Sequence, residues 1–287
     1  MGMMSVVGLI LHPGRDCTPC ISMITDWAQE RGVTVLGLEG ETMRIIGDVT
    51  VCTPQGMAER ADLLVSLGGD GTMLRTMRLA SGTGTPVLGV NVGRLGFLAE
   101  VDVPDLSGAL SAIDSHEFST EPRAGLAATI EGHPALAFND IVLVRIPGNG
   151  RIAAVELRVE GHPFVRYAAD AVIVATPTGS TAYSFSAGGP IVSPSAGGLL
   201  VTPVAPHSAF NRSLFLSSGE KLALSVLPVS GELAVEADGI VVGHARPGDT
   251  IDVTLLPGAA KVVRLGRTTF YQRAQRRLRL TGSAEVE

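Results

Sequence analysis

The stretch Leu63-Leu64-Val65-Ser66-Leu67-Gly68-Gly69-Asp70-Gly71-Thr72, continued by Met73-Leu74-Arg75-Thr76-Met77-Arg78, decides the fold. Leu63 to Leu67 reads as a buried strand, the glycines as a turn, and Thr72 to Ala80 as a helix. A strand that feeds a glycine turn and then a helix aims backbone N–H groups at one point, where the helix dipole favours an anion such as phosphate. Glycine lets a ligand approach the backbone closely. Asp70 is the odd member, because a carboxylate repels phosphate unless it holds a metal ion or takes a proton from an attacking hydroxyl. That combination points to phosphoryl transfer, in which a protein mainly positions groups and neutralises charge. The competing reading is that Asp-Gly is ordinary turn chemistry. A Rossmann fingerprint is absent, since Leu74 stands where the third glycine would fall. The only lysines, Lys221 and Lys261, follow no glycine-rich loop, so a P-loop is absent too.

Upstream and downstream the same alternation recurs. Val6 to Leu11, Cys20 to Arg31, Thr34 to Leu38 and Pro86 to Val90 read in turn as strand, helix, strand and strand, the pattern of βαβ units around a mostly parallel sheet. Ile21, Ile24, Trp27 and Ala28 share one helical face, with Asp26, Gln29 and Glu30 on the other. A further helix is expected over Pro104 to Ile113. After Ser119 the pattern becomes short β-like runs broken by Gly, Pro, Asn and Asp. Ile141 to Ile146 and Ala153 to Val159 read as a hairpin through Gly148-Asn149-Gly150, and Gly161-His162-Pro163 turns into Phe164 to Tyr167. Leu222 to Leu227, Leu233 to Ala237, Ile240 to Val242, Ile251 to Leu256 and Lys261 to Leu265 are expected strands. The expected organisation is an α/β domain over residues 1–118 and a β-rich domain over 119–265. A tail over 266–287 follows, whose Arg273, Arg276, Arg277 and Arg279 either form a solvated helix or lie back on the first domain and lend charge to a phosphate site.

Composition narrows the function classes. Of 287 residues 45% are apolar and 17% charged, enough for a substantial core and unlike a disordered chain. A net charge of -6 supplies no global field for a nucleic-acid backbone or an anionic membrane, so any anionic ligand must be held locally. No run approaches the roughly 18 apolar residues that span a bilayer. The uncharged start and three cysteines, an odd and low number, indicate a cytoplasmic protein rather than a secreted one.

Three other stretches carry chemistry. Gly93-Arg94-Leu95-Gly96-Phe97-Leu98 is a second glycine turn after a strand, and two such turns on neighbouring parallel strands would line one crevice at the sheet's carboxyl edge. Asp170 to Ser193 runs from a buried strand into Thr176-Pro177-Thr178-Gly179-Ser180-Thr181-Ala182-Tyr183-Ser184-Phe185-Ser186-Ala187-Gly188-Gly189-Pro190. Hydroxyls, small residues and one Tyr offer hydrogen bonds and a stacking face to a nucleotide base, although a Ser-rich loop is the plainer reading. Cys17-Thr18-Pro19-Cys20 sits between strand and helix like a redox pair, but nothing else suggests disulfide exchange. The histidines are scattered, and His207 reads as a structural hydrogen-bonder.

Together these residues resemble the NAD kinase family, which transfers the terminal phosphate of ATP, or in some bacterial members polyphosphate, to the adenosine ribose 2'-hydroxyl of NAD. The resemblance rests on Gly68 to Thr72, Asn91-x-Gly93-x-Leu95-Gly96-Phe97-Leu98, Asn139-Asp140, Thr176 to Pro190, Pro203 to Ser208 and Asp238-Gly239, in family order over nearly the whole chain. It implies a Rossmann-like α/β domain with a mostly parallel sheet, then a β-sandwich-like domain, with the tail packing on the first. It implies Asp70 as general base for the hydroxyl, with Gly68, Gly69, Thr72, Gly93, Gly96 and Phe97 as the phosphate loops. Gly71 and Arg75 would lie near the dinucleotide, Asn139 and Asp140 at adenine and ribose, and Asp170, Thr181, Ala182, Tyr183, Ser184, Phe185, Ser186 and Ala205 around the NAD pocket. Mg²⁺ or another divalent metal would accompany the donor without an assigned protein ligand, and a homodimer or homotetramer is implied. Three positions depart from the family pattern: Ala171 where glycine is usual after the Asp, Ala168 where a base is common, and Ile240 where Gln is common. These leave NAD, NADH or a smaller nucleoside open as acceptor. A dinucleotide-dependent oxidoreductase and a non-catalytic NAD-binding sensor are the readings from other classes.

Overall fold

The computed structural model describes residues 4–45, 47–93, 96–148, 152–207 and 210–280. Contacts divide the chain into two compact units, spanning Met1–Pro122 with Ala260–Glu287, and Arg123–Ala259. In the first, β1 (Val6–Leu11), β2 (Thr34–Leu38), β3 (Thr50–Cys52), β4 (Leu63–Gly68) and β5 (Pro86–Asn91) pair in parallel in the order β3-β2-β1-β4-β5. The short β6 (Val101–Asp102) pairs beside β5. Around them run α1 (Thr18–Arg31), α2 (Pro54–Arg60), α3 (Asp70–Ala80) and α4 (Leu106–Asp114). Every residue of β4 is buried, as a parallel strand covered on both faces requires. Helix α1 turns Cys20, Ile21, Ile24, Trp27 and Ala28 to the core and stops at Gly32, whose left-handed φ of 66° closes the last turn. Strand β3 and helix α2 were not legible as periodic segments, being only 3 and 7 residues long. The start of α2 is set by local chemistry instead: the Thr53 hydroxyl accepts the Gly56 N–H at 3.1 Å, and Pro54 opens the helix.

The second unit is built from β7 (Ser119–Ile130), β8 (His133–Ala137), β9 (Asp140–Arg145), β10 (Ala153–Val159), β11 (His162–Ala169) and β12 (Ala171–Ala175), then the one-turn helix α5 (Tyr183–Ser186). It continues with β13 (Gly198–Val204), β14 (Leu214–Ser217), β15 (Leu222–Val226), β16 (Leu233–Ala237), β17 (Ile240–Ala245) and β18 (Thr250–Arg264). One antiparallel sheet has the order β14-β13-β12-β9-β16-β17. Ile141, Leu143, Val172 and Val174 from it share a core with Leu157, Leu224, Ile251 and Val253 of the β10, β15 and β18 strands, a sandwich packed face to face. The odd residues of β12, Ala171, Ile173 and Ala175, face the other way and are covered by Ala187 and Val192, which explains why β12 is apolar throughout.

Two sequence expectations need correction. Strands β9 and β10 are not a hairpin: β9 pairs with β12 and β16, β10 with β11 and β15, so the connection changes sheets. Asn149 and Gly150 of the expected turn lie outside the described residues. The true hairpin is β10–β11, with Glu160 and Gly161 both at positive φ (52° and 78°), the geometry of a two-residue turn. The strands expected at 251–256 and 261–265 are one, β18, which pairs with β15 at its start and in parallel with β5 at Lys261 and Val262.

The tail forms α6 (Phe270–Leu278) in the first unit, with a capping box between Thr269 and Gln272. Of the tail arginines, Arg273 is turned inward onto a carboxylate. Arg273 and Arg264 both reach the fully buried Glu100 carboxylate, at 3.1 and 2.9 Å.

Candidate active site

In the first unit the strand ends are laced together at the sheet's carboxyl edge. The His12 N–H donates to Leu67 O at 2.8 Å and the Val92 N–H to Gly68 O at 3.0 Å, so the turns after β1, β4 and β5 meet. Gly69 stays extended and Asp70 opens α3 as its first acidic residue. The Asp70 carboxylate, partly exposed, accepts the Phe97 N–H at 3.0 Å on Oδ2 and the Leu98 N–H at 3.1 Å on Oδ1. The two glycine turns are therefore coupled through this carboxylate. Arg94 and Leu95 of the second turn lie outside the described residues.

The glycines are required by close approach. A Cβ at Gly96 would overlap the Asp70 carboxylate, and one at Gly68 would overlap the Thr72 hydroxyl. That Thr72 Oγ1 is buried without a hydrogen-bond partner among the described residues. Gly93, at φ 142°, leaves room for the Arg15 guanidinium. Arg75 is pinned by Leu11 O at 2.7 Å and by Glu41 at 2.7 Å, and Glu41 in turn accepts the Leu11 N–H at 2.7 Å. Gly96→Ala is expected to push the Asp70 carboxylate aside; on the reading of Asp70 as general base, turnover falls by about tenfold or more, since misplacing such a group by about 1 Å costs up to 10²-fold. Steady-state kinetics should show kcat falling while the acceptor KM stays within about twofold.

In the second unit, Asp238 organises a strand end. Its carboxylate accepts the main-chain N–H groups of Phe138 (3.0 Å), Asn139 (2.7 Å) and Asp140 (3.3 Å), and Asp238 itself sits at φ 49° in the β16–β17 turn with Gly239. Sequence reasoning had Asp238-Gly239 as a turn and missed this anchoring role. The Thr176 hydroxyl donates to Phe138 O and accepts the Gly179 N–H at 3.0 Å, while a Cβ at Gly179 would overlap the Asn139 carbonyl. Asn139, Asp140 and the 176–186 segment are thereby held together.

The hydroxyl run then sorts by direction. Ser180 and Ser184 are fully buried: Ser180 ties to Pro177 O and Val192, and Ser184 to Thr202 at 3.0 Å. Ser184 is thus a support of the segment, not a surface contact. Tyr183 (40% exposed), Phe185 (36%) and Ser186 are presented outward, with Thr181 and Ala182 half-buried. Burial first, then the carboxylates of Glu236, Asp140 and Asp170, push the Tyr183 phenol up, so these acids face the region of its ring. Asp170 is ion-paired with Arg145 at 2.5 Å, and Ala205, exposed at φ 44°, ends β13.

Asp140 is buried, and its carboxyl is pushed up to about 7, by desolvation first and then by Asp238 and Glu236. Between its ordinary 3.8 and about 7 the folded chain keeps a proton that the unfolded chain has released. Stability therefore falls as pH rises through that window and levels off above it. Asp140→Asn should flatten this slope, as urea midpoints from pH 4.5 to 8 would show.

Among the described residues no group of three His, Cys, Asp or Glu could hold a metal ion. Cys17 and Cys20 are buried, and burial pushes both thiols up, Cys20 to about 11, the opposite of what a reactive thiolate needs.

A carboxylate at a glycine turn before a helix, on a parallel sheet, is an arrangement suited to phosphoryl transfer to an alcohol, and the relatives of this chain are phosphotransferases of that class. Residues 7–118 match the family model described as the ATP-NAD kinase N-terminal domain, and residues 138–265 that of the ATP-NAD kinase C-terminal domain. NAD kinase 1 of Streptomyces avermitilis is 38% identical, over 96% of this chain and 87% of its own length. The NAD kinase of Desulforamulus reducens is 35% identical, over 96% and 98%. Among solved structures, yeast NADH kinase complexed with NADH superposes with a TM-score of 0.87 at 25% identity, covering 100% of this chain and 91% of that one. An Archaeoglobus fulgidus NAD kinase in complex with ATP, at 23% identity and TM-score 0.74 over 96% and 100%, shares the fold. The chain belongs to the NAD kinase family.

Proposed function

We propose that this protein transfers the terminal phosphate of ATP, or of inorganic polyphosphate, to the adenosine ribose 2'-hydroxyl of NAD, giving NADP. The observation that carries the reading is Asp70, a partly exposed carboxylate fixed by two N–H groups at the mouth of a glycine turn. Asp70 takes the hydroxyl proton as the oxygen attacks the terminal phosphorus. The bond from that phosphorus to the bridging oxygen breaks, and ADP or a shortened polyphosphate leaves.

Gly69 and Thr72 present backbone that phosphates approach, while Gly68, Gly93 and Gly96 shape the two loops by admitting Thr72, Arg15 and Asp70, and Phe97 fixes Asp70 through its N–H. Gly71, with open space over its Cα, and Arg75 lie toward the phosphates or nicotinamide side of the dinucleotide. Asn139 and Asp140 take adenine and ribose. Asp170, Thr181, Ala182, Tyr183, Phe185, Ser186 and Ala205 complete the dinucleotide surface, with Ser184 behind them. Mg²⁺ would be held by the donor's phosphates rather than by an assigned protein ligand, and would supply neutralisation of the phosphate charge there. The first unit carries the phosphate loops and the second the nucleoside surface. The protein works in the cytoplasm as a homodimer or homotetramer; the exposed Ile240, Val241 and Val242 on edge strand β17 support self-association.

The reading is tested by supplying MgATP with NAD, NADH or adenosine in parallel and measuring 2'-phosphorylated product. NAD is expected to be the best acceptor. Faster transfer to NADH would favour the alternative raised by Ala168, Ala171 and Ile240, and transfer to adenosine alone would replace the dinucleotide with a nucleoside.

A further inference from the structure

The chain has no P-loop lysine, yet the donor's phosphate chain carries several negative charges that must be met locally. Two arginines are built for that task and are absent from the motifs above: Arg15 in the loop after β1, and Arg44 in the turn after β2, whose side chain reaches back to that loop. Arg15 donates from Nη1 to Val92 O at 2.5 Å and lies over the bare Cα of Gly93. Arg44 donates to His12 O at 2.7 Å, Pro13 O at 3.2 Å and Arg15 O at 2.5 Å. Both guanidiniums are half-buried and fixed on carbonyl oxygens.

Their charge balance differs from that of their neighbours. In the same unit Arg31, Arg75, Arg264 and Arg273 each meet a carboxylate at ion-pair distance. Among the described residues Arg15 and Arg44 meet none. Asp16, adjacent in sequence, accepts the Thr18 N–H on Oδ1 at 2.9 Å and feels the Arg44 charge without an ion-pair contact, and Glu41 is engaged by Arg75 and Leu11. The positive field is felt by His12: burial, then Arg15, Arg44 and Arg75, hold its imidazole below the usual range, and its Nδ1 accepts the Gly14 and Arg15 N–H groups at 3.1 Å. An open cleft of about 490 Å³ is lined by Pro13, Gly14, Arg15, Asp16 and Arg44 among others. Arg15 and Asp70 are fixed against the same turn, Arg15 at residues 92–93 and Asp70 at 97–98.

We propose that Arg15, backed by Arg44, binds the phosphate chain of the donor, and that Gly93 is glycine to let it do so. The ligand chemistry is a linear chain of phosphates, whether in a nucleoside triphosphate or in inorganic polyphosphate. This rests on the kinase reading, but it can be tested without turnover. A guanidinium fixed on backbone presents its remaining N–H groups in a rigid fork that matches phosphate oxygens.

The test is calorimetric binding of inorganic tripolyphosphate and of ATP to the full chain, wild type against Arg15→Gln and Arg15→Lys, with melting temperatures recorded for each. Glutamine keeps a donor for Val92 O without the charge, which separates charge from folding. Loss of one charge-assisted contact predicts binding weakened about ten- to a hundredfold for both ligands in Arg15→Gln. Arg15→Lys should fall between the two. Donor KM should rise in parallel with NAD KM unchanged. Tripolyphosphate bound by Arg15→Gln as tightly as by wild type would overturn the assignment, and so would weakening confined to ATP, which would make Arg15 a reader of the nucleoside. If tripolyphosphate binding depends on Arg15 but no acceptor is phosphorylated, the subsite stands and the kinase reading fails.

Discussion

Asp70→Asn is expected to lower turnover by about 10²- to 10⁴-fold, the range that a positioned general base contributes. Asparagine keeps the shape and one carbonyl oxygen, so it can still accept from Phe97 or Leu98, but it cannot take a proton from the acceptor hydroxyl. Dinucleotide affinity, measured by calorimetry, should change by no more than a few-fold, because the residues proposed to hold the nucleoside lie in the other unit. A fall in kcat with retained binding separates the base from a scaffold role, in which both would fall along with the melting temperature. Turnover unchanged in this variant would remove Asp70 from the mechanism and would favour the binding-sensor reading.

The second large effect is structural. Glu100→Ala leaves Arg273, 5% exposed in its side chain, buried without its carboxylate, while Arg264 keeps Glu121 at 2.7 Å. Removing one member of a buried ion cluster costs about 3–5 kcal/mol because the remaining charge is left uncompensated. Denaturant titration followed by circular dichroism should show a transition at markedly lower denaturant. The double variant Glu100→Leu with Arg273→Met is expected to recover much of that loss, since an apolar replacement of a buried pair is often neutral or better. A Glu100→Ala protein as stable as wild type would mean that the cluster is hydrated and contributes little.

Much of the first unit was legible because its signals are local. The run from Leu63 to Arg78 shows strand, turn and helix within sixteen residues, and β1, β2, β5 and α1 announce themselves by apolar runs and a helical stripe. What escaped was set by distant partners or by elements too short to show a period. The β9–β10 connection looked like a hairpin because turn chemistry is local, whereas the sheet a strand joins is decided by both of its faces. Glu100 and Arg273 are 173 residues apart in sequence, so the sequence left open whether the tail's arginines are solvated or lie back on the first domain. Within the candidate site, composition marked 176–186 as one polar stretch. Only the structure separates Thr176, Ser180 and Ser184, which face inward, from Tyr183, Phe185 and Ser186, which face out. Arg15 carried no pattern at all; a signal existed in Gly93, whose missing side chain makes the space that Arg15 fills.

The most direct test of the central claim is product stoichiometry. Purified protein is incubated with MgATP and NAD, ADP is quantified, and the dinucleotide product is read with a dehydrogenase that accepts only NADP. The account predicts one NADP for each ADP released. ADP release without NADP, or no NADP with either ATP or polyphosphate as donor, would contradict it.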